Sequence, residues 1–277
     1  MKLDVKNTNK TIVAIRGGGD IATGVAQKFY RSGFKVVILE TSQPLTIRRT
    51  VALSSAVYTE EFQVEDMIAC RANSHKECEE IWEQGKIPVL IDPEGESIKC
   101  LKPTILIDGI IAKRNLGTYK NMAPITIALG PGFEAGVDVD VVVETMRGHN
   151  LGKLHFKGRA MENTGIPSEV NGKSVERVIY ATHSGKVNHI KKIGDWVEEG
   201  EGIFYIGEFL VPSPVNGTLR GLIHEGLLVK EGLKCGDIDP RLQHTVDCYS
   251  ISDKARAIGG AALEAAMMML RREGANL

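Results

Sequence analysis

Clusters of charge of one sign are missing from this sequence, and so is a long apolar run. Its 34 lysines and arginines nearly balance its 35 aspartates and glutamates, and no basic run stands out. Nucleic acid is therefore not expected as a partner. No stretch approaches the length of a membrane span, and the first residues lack an apolar signal core. We therefore expect a cytoplasmic protein that has no membrane partner.

Paired cysteines are also missing. The five cysteines are an odd number and form no C-x-x-C pair, which disfavours a disulfide framework and a zinc site. We accordingly predict no metal centre. A cysteine here is either a small buried apolar residue or, for one of them, a carrier of sulfur or selenium as a persulfide-type adduct. The five are Cys70, Cys78, Cys100, Cys235 and Cys248.

The first part of the chain contains a nucleotide-binding pattern. Residues 11–16 are typical of a buried β-branched strand, and they run directly into the glycines at 17–19. Residues 25–30 continue as a helix, and residues 34–39 form a second apolar strand. Glycine is needed at such a turn because a Cβ would hold a pyrophosphate away from the free N–H groups of the helix start. The pattern predicts the first half of a Rossmann-like unit.

The candidate cofactor-binding residues follow from this pattern, which favours a nucleotide or dinucleotide of unknown identity. Glu40 follows the second strand, about where an acid reaches a ribose hydroxyl. Asp20 fits less well, because its carboxylate would repel a phosphate, and its alternative role is to cap the helix. A ligand with less negative charge would suit Asp20 better. The full set is Gly17, Gly18, Gly19, Asp20, Ile21, Ala22, Thr23, Glu40, Arg48 and Arg49.

The two arginines in this set open a predicted helix over residues 47–57. Basic side chains at a helix start oppose the helix dipole, so Arg48 and Arg49 suggest an anion or carboxylate partner. The alternative is a solvated surface pair.

Strands alternate with helices up to residue 129, which predicts a parallel sheet covered by helices. Residues 63–72 are among the predicted strands. Another strand is apolar up to Asp108, and Lys113 and Asn115 follow within a few residues. Ligands bind outside the carboxyl ends of strands in such sheets. These three residues are therefore the candidate catalytic residues, and an ordinary turn salt bridge is the alternative.

The pattern changes after this sheet. Valines alternate with other residues over 137–143, and this period of two indicates that a new domain begins. We predict a Rossmann-like domain over residues 1–136, a β-rich domain over 137–250 and a C-terminal helix within 251–277. Small residues around Gly259 would let that helix pack closely.

The β-rich domain contains an internal repeat. Residues 185–203 and 217–235 match at an offset of 32 residues, each with the spacing G-x8-G-x-x-V-x-x-G. Two such copies should pack around a pseudo-twofold axis, since neither can bury a face alone. The spacing resembles the barrel-sandwich fold of biotinyl and lipoyl domains. Those carriers modify a lysine on the hairpin between their halves, but residues 204–212 contain no lysine. We therefore expect no biotin and no lipoate.

Several phrases along the chain point to one family. They lie at residues 17–24, 48–49, 112–118, 130–136, 144–149 and 236–241. Together they resemble the YqeB-type accessory proteins of selenium-dependent molybdenum hydroxylases. The resemblance implies a maturation factor that assists selenium or molybdenum-cofactor installation in xanthine-dehydrogenase-like enzymes. It also implies a client hydroxylase and a small-molecule ligand as partners, and it supplies no catalytic residues.

Two alternative functions stay open. One is an NAD(P)-dependent oxidoreductase, although no Tyr-x-x-x-Lys pair or other proton-transfer set supports it. The other is a non-catalytic scaffold with a vestigial glycine loop. The sequence leaves the oligomeric state open, a homo-oligomer included.

Overall fold

The computed structural model describes residues 5–167 and 169–274 of the chain. The first four residues, part of the segment expected to lack a signal core, lie outside this range, as do residues 275–277 of the predicted C-terminal stretch. Contacts divide the described residues into two units. The first contains the residues up to Pro44, Ala52–Asn163 and those from Ile251 onward; the second contains Leu45–Val51 and Thr164–Ser250.

The first unit has the mixed α/β structure that the sequence predicts. Its strands are β1 (Ile12–Arg16), β2 (Lys35–Glu40), β3 (Glu61–Val64), β4 (Met67–Ala72), β5 (Ile87–Ile91), β6 (Ile105–Asp108), β7 (Ile125–Leu129), β8 (Glu134–Ala135), β9 (Val141–Val143), β10 (Leu154–His155) and β11 (Gly158–Arg159). Its helices are α1 (Asp20–Arg31), α2 (Ala56–Thr59), α3 (His75–Glu83), α4 (Ile98–Leu101) and α5 (Asp253–Gly274). Within the part of the chain that the structure describes, no helix has the length and apolar character needed to cross a membrane.

Nine of the described strands form one sheet, in the order β10-β9-β7-β6-β1-β2-β5-β4-β3. The strands from β9 to β4 run parallel, whereas β10 and β3 pair antiparallel at the two edges. Strand β1 lies between β2 and β6, so the order of the strands reverses beside it. Ligands of open α/β sheets bind outside the carboxyl ends of the strands at such a point. The predicted large parallel sheet is confirmed.

The central parallel strands are covered on both faces, which explains their unbroken apolar runs. Val13, Ala14 and Ile15 of β1 are fully buried, and so are the three apolar residues of β6. The pattern of these strands identified them correctly because every position in them faces the core.

Two predicted elements differ from the structure. Residues 63–72 form most of an antiparallel hairpin rather than one strand, because Glu65 takes up a left-handed turn conformation with φ of 51° between β3 and β4. Residues 47–57 form separate short turns rather than one helix. Two are 3-10 turns, Arg49–Val51 and Leu53–Ser55, and α2 follows them. The extended backbone of Ala52, with φ of −129°, interrupts the helical path.

The alternating valines do not leave the α/β sheet. They end in β9, which is wholly buried and extends the main sheet in parallel beside β7. Asp140 lies directly before β9 and accepts hydrogen bonds at 2.9 Å from the backbone N–H and the hydroxyl of Thr126. The polar residues of the alternation therefore bind the neighbouring strand. As a result the contacts group residues 137–163 with the first unit, which differs from the predicted division at residue 136.

The last helix, α5, also belongs to the first unit and packs along α1. A Cβ on Gly24 would lie 2.6 Å from the carbonyl oxygen of Ala255, and a Cβ on Gly259 would lie 2.3 Å from that of Gly24. The two backbones approach this closely only because both positions are glycine. The predicted close packing of the C-terminal helix is confirmed at Gly259.

The second unit is made of short antiparallel strands. They are β12 (Val178–Tyr180), β13 (Gly185–His189), β14 (Trp196–Val197), β15 (Gly202–Ile206), β16 (Phe209–Pro212), β17 (Gly217–Leu222), β18 (Leu228–Val229) and β19 (Lys234–Asp239). They form two four-stranded sheets, β12-β19-β17-β14 and β16-β15-β13-β18. The first four strands correspond to the last four at the offset of 32 residues, so the structural repeat also includes β12 and β16.

The two copies of the repeat exchange strands. Strand β14 of the first copy pairs with β17 of the second, and β18 of the second copy pairs with β13 of the first. Each sheet therefore contains two strands from each copy. Val187 and Leu219, which match in the repeat, are both fully buried by this exchange. Neither copy would bury these side chains by itself.

Candidate functional site

A cleft of about 470 Å³ opens in the first unit at the carboxyl ends of β1, β2, β5 and β6. The loops that follow these strands form its walls. Its lining includes Arg16, Gly17, Glu40, Glu94, Ile110 and Asn115. The cleft therefore lies beside the reversal in strand order, where an α/β sheet binds its ligand.

A larger cavity, of about 650 Å³, lies at the opposite edge of the same sheet. Pro103 and Pro124, which precede β6 and β7, are among its lining residues. Its Lys120 forms an ion pair with Asp140 at 3.2 Å. Because this edge lacks the glycine loop and the polar strand ends, the smaller cleft is the candidate site.

Gly17 and Gly18 fix the path of the loop between β1 and α1. Gly17 has a φ of 88°, and a Cβ at this position would lie 3.0 Å from the Cα of Ile110. Gly18 is buried against Ser54, whose backbone N–H donates to the Gly18 carbonyl at 2.9 Å. Close contacts within the protein therefore require glycine at both positions, whatever ligand is bound.

Helix α1 begins at Asp20, and Gly19 is its N-cap residue. Asp20 is thus the first helical residue and not the cap, and its carboxylate lies in the first turn, where the helix dipole stabilises negative charge. Thr23 is buried and accepts a hydrogen bond from the Leu53 N–H at 2.9 Å. Ile21 and Ala22 lie on the same first turn. Among residues 17–23, all of them described, Gly17 is the one that lines the cleft.

Glu40 is the predicted residue whose position fits ligand binding best. It ends β2 and is 9% exposed, and it lines the cleft. One carboxylate oxygen accepts the Gly18 N–H at 2.7 Å, and the other accepts the Thr41 N–H at 2.8 Å. Burial raises the pKa of Glu40, although these two N–H donors oppose the shift. The Thr41 hydroxyl also bonds to this carboxylate, which keeps one lone-pair site with which it could accept a ligand hydroxyl.

Sequence reasoning missed Arg16, the last residue of β1. Its side chain is 2% exposed. Its guanidinium donates to the Thr118 hydroxyl at 2.6 Å and to the carbonyls of Pro93 and Leu116 at 2.7 and 3.2 Å. Arg16 therefore holds together two loops of the cleft. A cation at the end of a wholly apolar strand is the signal that would have identified it.

The candidate Asp108 lies behind the cleft wall, next to Arg16. The Thr118 hydroxyl donates to Asp108 Oδ2 at 2.6 Å, and Arg16 Nη1 lies 4.0 Å from the same oxygen. Burial raises the pKa of Asp108, and the Thr118 hydrogen bond and the Arg16 charge oppose this shift. Asp108 is thus placed to position Arg16 and Thr118.

The structure joins Asn115 to this group and leaves Lys113 outside it. The Asn115 side chain accepts the N–H groups of Gly117 and Thr118 at 2.9 and 2.8 Å and donates to the Thr118 carbonyl at 2.7 Å. It thereby folds the loop that carries Thr118 to Asp108. Lys113 is exposed, has a φ of 62° and is not part of the cleft lining.

Arg48 and Arg49 belong to the second unit and contact other residues of that unit. The Nε of Arg49 donates to the Leu222 carbonyl at 2.8 Å. Burial lowers the pKa of Arg49, and Glu225 opposes that shift. Arg48 lies near Asp247 and Cys248, and its charge lowers the pKa of both. These contacts give the two arginines a structural role in that unit.

The cysteines are all free. Burial raises the pKa of Cys78 to about 12 and that of Cys70 and Cys235 to about 11, and it also raises the pKa of Cys248. A persulfide-type carrier needs an accessible thiolate. The structure therefore favours the small apolar role for these four. Within the described residues, no group of His, Cys, Asp and Glu side chains is arranged to hold a metal ion.

The cleft offers more hydrogen-bond acceptors than free cationic donors. Glu40 and Glu94 bring carboxylates to its wall, while the terminal nitrogens of Arg16 are already bonded to protein oxygens. Such a site suits a ligand that carries hydroxyl groups more than one that carries several phosphates. A ribose is a group of this kind.

No protein-family model matches the chain. The "Uncharacterized protein YqeB" of Escherichia coli K12 is 49% identical over 261 residues, which cover 94% of this chain and 48% of that protein. The chain thus spans about half the length of this curated relative. The resemblance to YqeB-type proteins is therefore confirmed in sequence along nearly the whole chain.

The solved structures give distant likenesses. TcdA (CsdL) shares 10% identity at a TM-score of 0.34, covering 96% of this chain and 90% of its own. The E. coli tRNA N6-threonylcarbamoyladenosine dehydratase TcdA has a TM-score of 0.29 at the same identity and coverage. The apo ectoine utilization protein EutE (DoeB) of Ruegeria pomeroyi has a TM-score of 0.24 at 9% identity, covering 82% and 86%. Likenesses at this level carry no argument about function.

Proposed function

We propose, from its relationship to YqeB, that this chain is an accessory protein in the maturation of selenium-dependent molybdenum hydroxylases. We further propose that it binds a nucleotide or related cofactor in the cleft and assists selenium or molybdenum-cofactor installation in a client hydroxylase. The observation that carries the ligand proposal is Glu40, a buried carboxylate in the wall of a cleft at the carboxyl edge of a parallel sheet.

The contacts of Glu40 support a ribose as the recognised group. Its two oxygens are fixed by the N–H groups of Gly18 and Thr41, so the carboxylate is oriented before any ligand arrives. A ribose presents neighbouring hydroxyls that donate to such a carboxylate. Pre-orientation reduces the entropy lost on binding.

The ligand is tested by native mass spectrometry of the purified protein, followed by calorimetric titration with adenosine, ATP and NAD. We expect Glu40→Gln to weaken the binding of a ribose-containing ligand at least tenfold, because an amide N–H would face a backbone N–H. Lys113→Met is the matched control, since Lys113 lies outside the cleft lining, and it should leave affinity unchanged. If no retained ligand is found and no titrant binds, the ligand proposal is wrong and the result favours a non-catalytic scaffold.

The maturation role is tested in cells that make a selenium-dependent molybdenum hydroxylase. Deleting the accessory gene should leave the hydroxylase folded and containing molybdenum, but inactive and depleted of labile selenium. Complementation with Asp108→Asn should restore activity poorly, because the Arg16 and Thr118 contacts are disturbed, whereas Lys113→Met should restore it fully. Elemental analysis of the purified hydroxylase measures its selenium and molybdenum contents. Normal selenium and full activity in the deletion strain would refute the role.

An NAD(P)-dependent oxidoreductase is the second candidate. The observation in its favour is the placement of Glu40 at the end of β2, bonded to the glycine loop. Quenching or enhancement of NADH fluorescence on titration tests it directly. If NADH binds and the hydroxylase matures normally in the deletion strain, the oxidoreductase function is favoured over the maturation role.

We also propose that the second unit is a barrel-sandwich hybrid without a carrier role. The exchange of β14 and β18 between two copies of a repeat supports this architecture. The hairpin between β15 and β16 turns at Gly207 and Glu208, so no lysine lies where carriers hold their cofactor. The intact mass should therefore match the unmodified chain. An added biotinyl or lipoyl mass would contradict this.

A further inference from the structure

The larger cavity of the first unit is not the site of the proposed nucleotide. Its volume of about 650 Å³ is within the range of roughly 300–1,000 Å³ that small-molecule sites occupy. Two chain segments of this unit, residues 95–104 and 119–124, form its walls together with Asp140. The cavity lies at the amino ends of β6 and β7, whereas the cleft with Glu40 lies at the carboxyl edge. A ligand in this cavity would therefore be a second ligand of the unit.

The buried part of this cavity is apolar. Its buried lining residues are Gly95, Ile98, Pro103 and Ala123. Met122 connects the two segments, because its sulfur accepts the Tyr119 N–H at 3.4 Å and its methyl carbon lies 3.6 Å from the place of a Cβ on Gly95. Contact with these groups favours a ligand whose buried part is itself apolar.

An aromatic ring is the apolar group that suits this lining best. Tyr119 lines the cavity and is 59% exposed, so its ring is open to contact with a ligand. Aromatic rings attract one another in offset-stacked and edge-to-face arrangements. The thioether of the half-buried Met122 also makes favourable contacts with aromatic rings. These two side chains together favour an aromatic ligand over an aliphatic one.

The charged residues of the lining favour an anion. They are three lysines and one acid, namely Lys99, Lys102, Lys120 and Asp140. The Asp140 carboxylate is already bonded, because Oδ2 accepts the N–H and the hydroxyl of Thr126 and Oδ1 pairs with Lys120 at 3.2 Å. Lys99 pairs with Glu96 at 2.8 Å. An anion in the cavity would thus meet an excess of positive charge.

Lys102 is placed to bind such an anion. It follows α4 in a left-handed conformation, with φ of 46°. Glycine is favoured in this conformation after a helix, because a Cβ makes it strained. The Lys102 side chain is exposed, and no hydrogen bond or ion pair joins it to any residue within 5–167 and 169–274. The lysine therefore occupies an unfavourable backbone conformation without a stabilising contact of its own, and a ligand contact would explain its presence.

We propose that this cavity binds a small aromatic carboxylate. The aromatic ring contacts the apolar lining, Tyr119 and Met122, and the carboxylate accepts a charge-assisted hydrogen bond from Lys102 Nζ. The site is separate from the cleft at Glu40, and the proposal does not depend on the maturation role.

Calorimetric titration of the full-length protein with naphthoate tests the proposal. The neutral amide, naphthamide, has nearly the same shape and lacks the charge. We expect naphthoate to bind at one site and naphthamide to bind there several-fold more weakly, since an exposed ion pair makes a modest contribution to affinity. No heat of binding for naphthoate up to its solubility limit would overturn the proposal, and so would equal affinities for the two compounds.

The substitution Lys102→Gln tests the charged contact. It should weaken the binding of naphthoate several-fold and leave that of naphthamide unchanged, because only the acid uses the ammonium. Lys113→Gln is the matched control, since Lys113 is also exposed, has a positive φ of 62° and lines neither the cavity nor the cleft. It should leave both affinities unchanged. An unaltered naphthoate affinity in Lys102→Gln, or an equal loss in Lys113→Gln, would contradict the proposed contact.

The substitution Tyr119→Ser distinguishes this cavity from other apolar surfaces. It removes the aromatic wall, so it should weaken the binding of both compounds, whereas Lys102→Gln weakens that of the acid alone. Tyr205→Ser is the control and should change neither affinity, because Tyr205 is a 40% exposed tyrosine of the second unit. Tyr119 and Lys102 are both exposed, so neither substitution removes core packing. Unchanged binding of both compounds by Tyr119→Ser would place the ligand elsewhere and overturn the proposal.

Discussion

Arg16 and Asp108 end neighbouring central strands, and both are 2% exposed. The two charges do not meet in a direct hydrogen bond, because Arg16 Nη1 lies 4.0 Å from Asp108 Oδ2. The Thr118 hydroxyl bridges them by accepting from Arg16 and donating to Asp108. Removing one member of such a buried group leaves the other without its partner, which costs about 3–5 kcal/mol. The cleft wall thus depends on one network of three side chains.

The raised pKa of Asp108 predicts a pH dependence of stability. In the folded state Asp108 holds its proton to higher pH than in the unfolded state, so folding binds a proton between the two pKa values. Its contribution to the free energy of unfolding therefore falls as the pH rises above the unfolded value of about 3.9. Asparagine does not titrate. The stability of Asp108→Asn relative to the wild type should therefore improve from pH 4 to pH 7, as measured by urea unfolding.

Asp66→Asn is the matched control of opposite sign. The hydrogen bond from Arg31 lowers the pKa of Asp66 in the same unit. Asp66 therefore stabilises the fold above its unfolded pKa, and this contribution is lost as the pH falls through the folded value. The stability of Asp66→Asn relative to the wild type should therefore stay nearly constant from pH 4 to pH 7 and should improve as the pH falls below about 3.9. Parallel slopes for the two variants would contradict both assignments.

The thiols give a second prediction for single residues. Cys100 is exposed, whereas burial raises the pKa of Cys78 to about 12. At pH 8 a thiol with that pKa is ionised on the order of a thousandfold less than an ordinary cysteine. Iodoacetamide should therefore alkylate Cys100 first in the folded protein and leave Cys78 unmodified, and peptide mass spectrometry would show the order. Early labelling of Cys78 would show that its site opens.

Some site residues could be predicted from the sequence and others could not. Glu40 and Asp108 stand at the ends of apolar strands, and that position by itself brings them to the ligand edge. Arg16 also stands at the end of an apolar strand, but its role depends on Thr118, which is 102 residues away, and no local pattern reports such a pair. Arg48 and Arg49 show the reverse case, because an adjacent pair of charges in the sequence was assigned to a cofactor, whereas the Arg49 guanidinium donates to the Leu222 carbonyl within the second unit.

Among the elements, the crossing of α1 and α5 is the one most sensitive to side-chain size. A methyl group on Gly259 would meet the Gly24 carbonyl oxygen at 2.3 Å, whereas one on Gly260 would meet nothing within 4 Å. The backbone cannot yield as the end of a flexible side chain would, so the two helices must separate to accept the first substitution.

We predict opposite effects for these adjacent glycines. Gly259→Ala should lower the free energy of unfolding by about 1–3 kcal/mol, as is usual for overpacking. Gly260→Ala should raise it by about 0.5–1 kcal/mol, because alanine is the better helix former. Urea unfolding followed by circular dichroism measures both. Equal effects of the two substitutions would show that the helices do not cross at Gly259.

Whether a strand could be predicted from the sequence depended on how its two faces are buried. Strands β1, β2, β6 and β7 face the core on both sides, so their apolar runs identified them. Strand β9 was placed in a separate domain because Asp138 and Asp140 gave its approach the alternation of a half-exposed strand. Asp140 in fact bonds to Thr126 of β7. For the second unit the sequence predicted the repeat but not the exchange of strands between its copies. The 32-residue offset shows which residues correspond, and it does not show which strands pair.

In the whole molecule, the first unit is not one continuous stretch of the chain, because its segments lie on both sides of the second unit in sequence. The first unit receives its last helix from beyond the second unit. Helix α5 supplies Ala255 and Gly259 to the contact with α1, and Arg256 donates to Gln27 and Glu65 at 2.8 and 2.5 Å. The fold of the first unit therefore depends on residues that follow the second unit in the chain.

Removing that helix should unfold one unit and spare the other. A chain that ends at Ser250 exposes the α1 surface that α5 buries, and it leaves Glu65 without Arg256. We expect hydrogen exchange, followed by mass spectrometry, to show loss of amide protection in β1 and β2 and retained protection in β17 and β19 of the second unit. A chain that ends at Leu270 keeps the contacts of Ala255 through Ala266 and is the control, with protection close to that of the full chain. Retained protection of β1 without α5 would show that the first unit does not need the helix, whereas loss in both units would show that they fold as one.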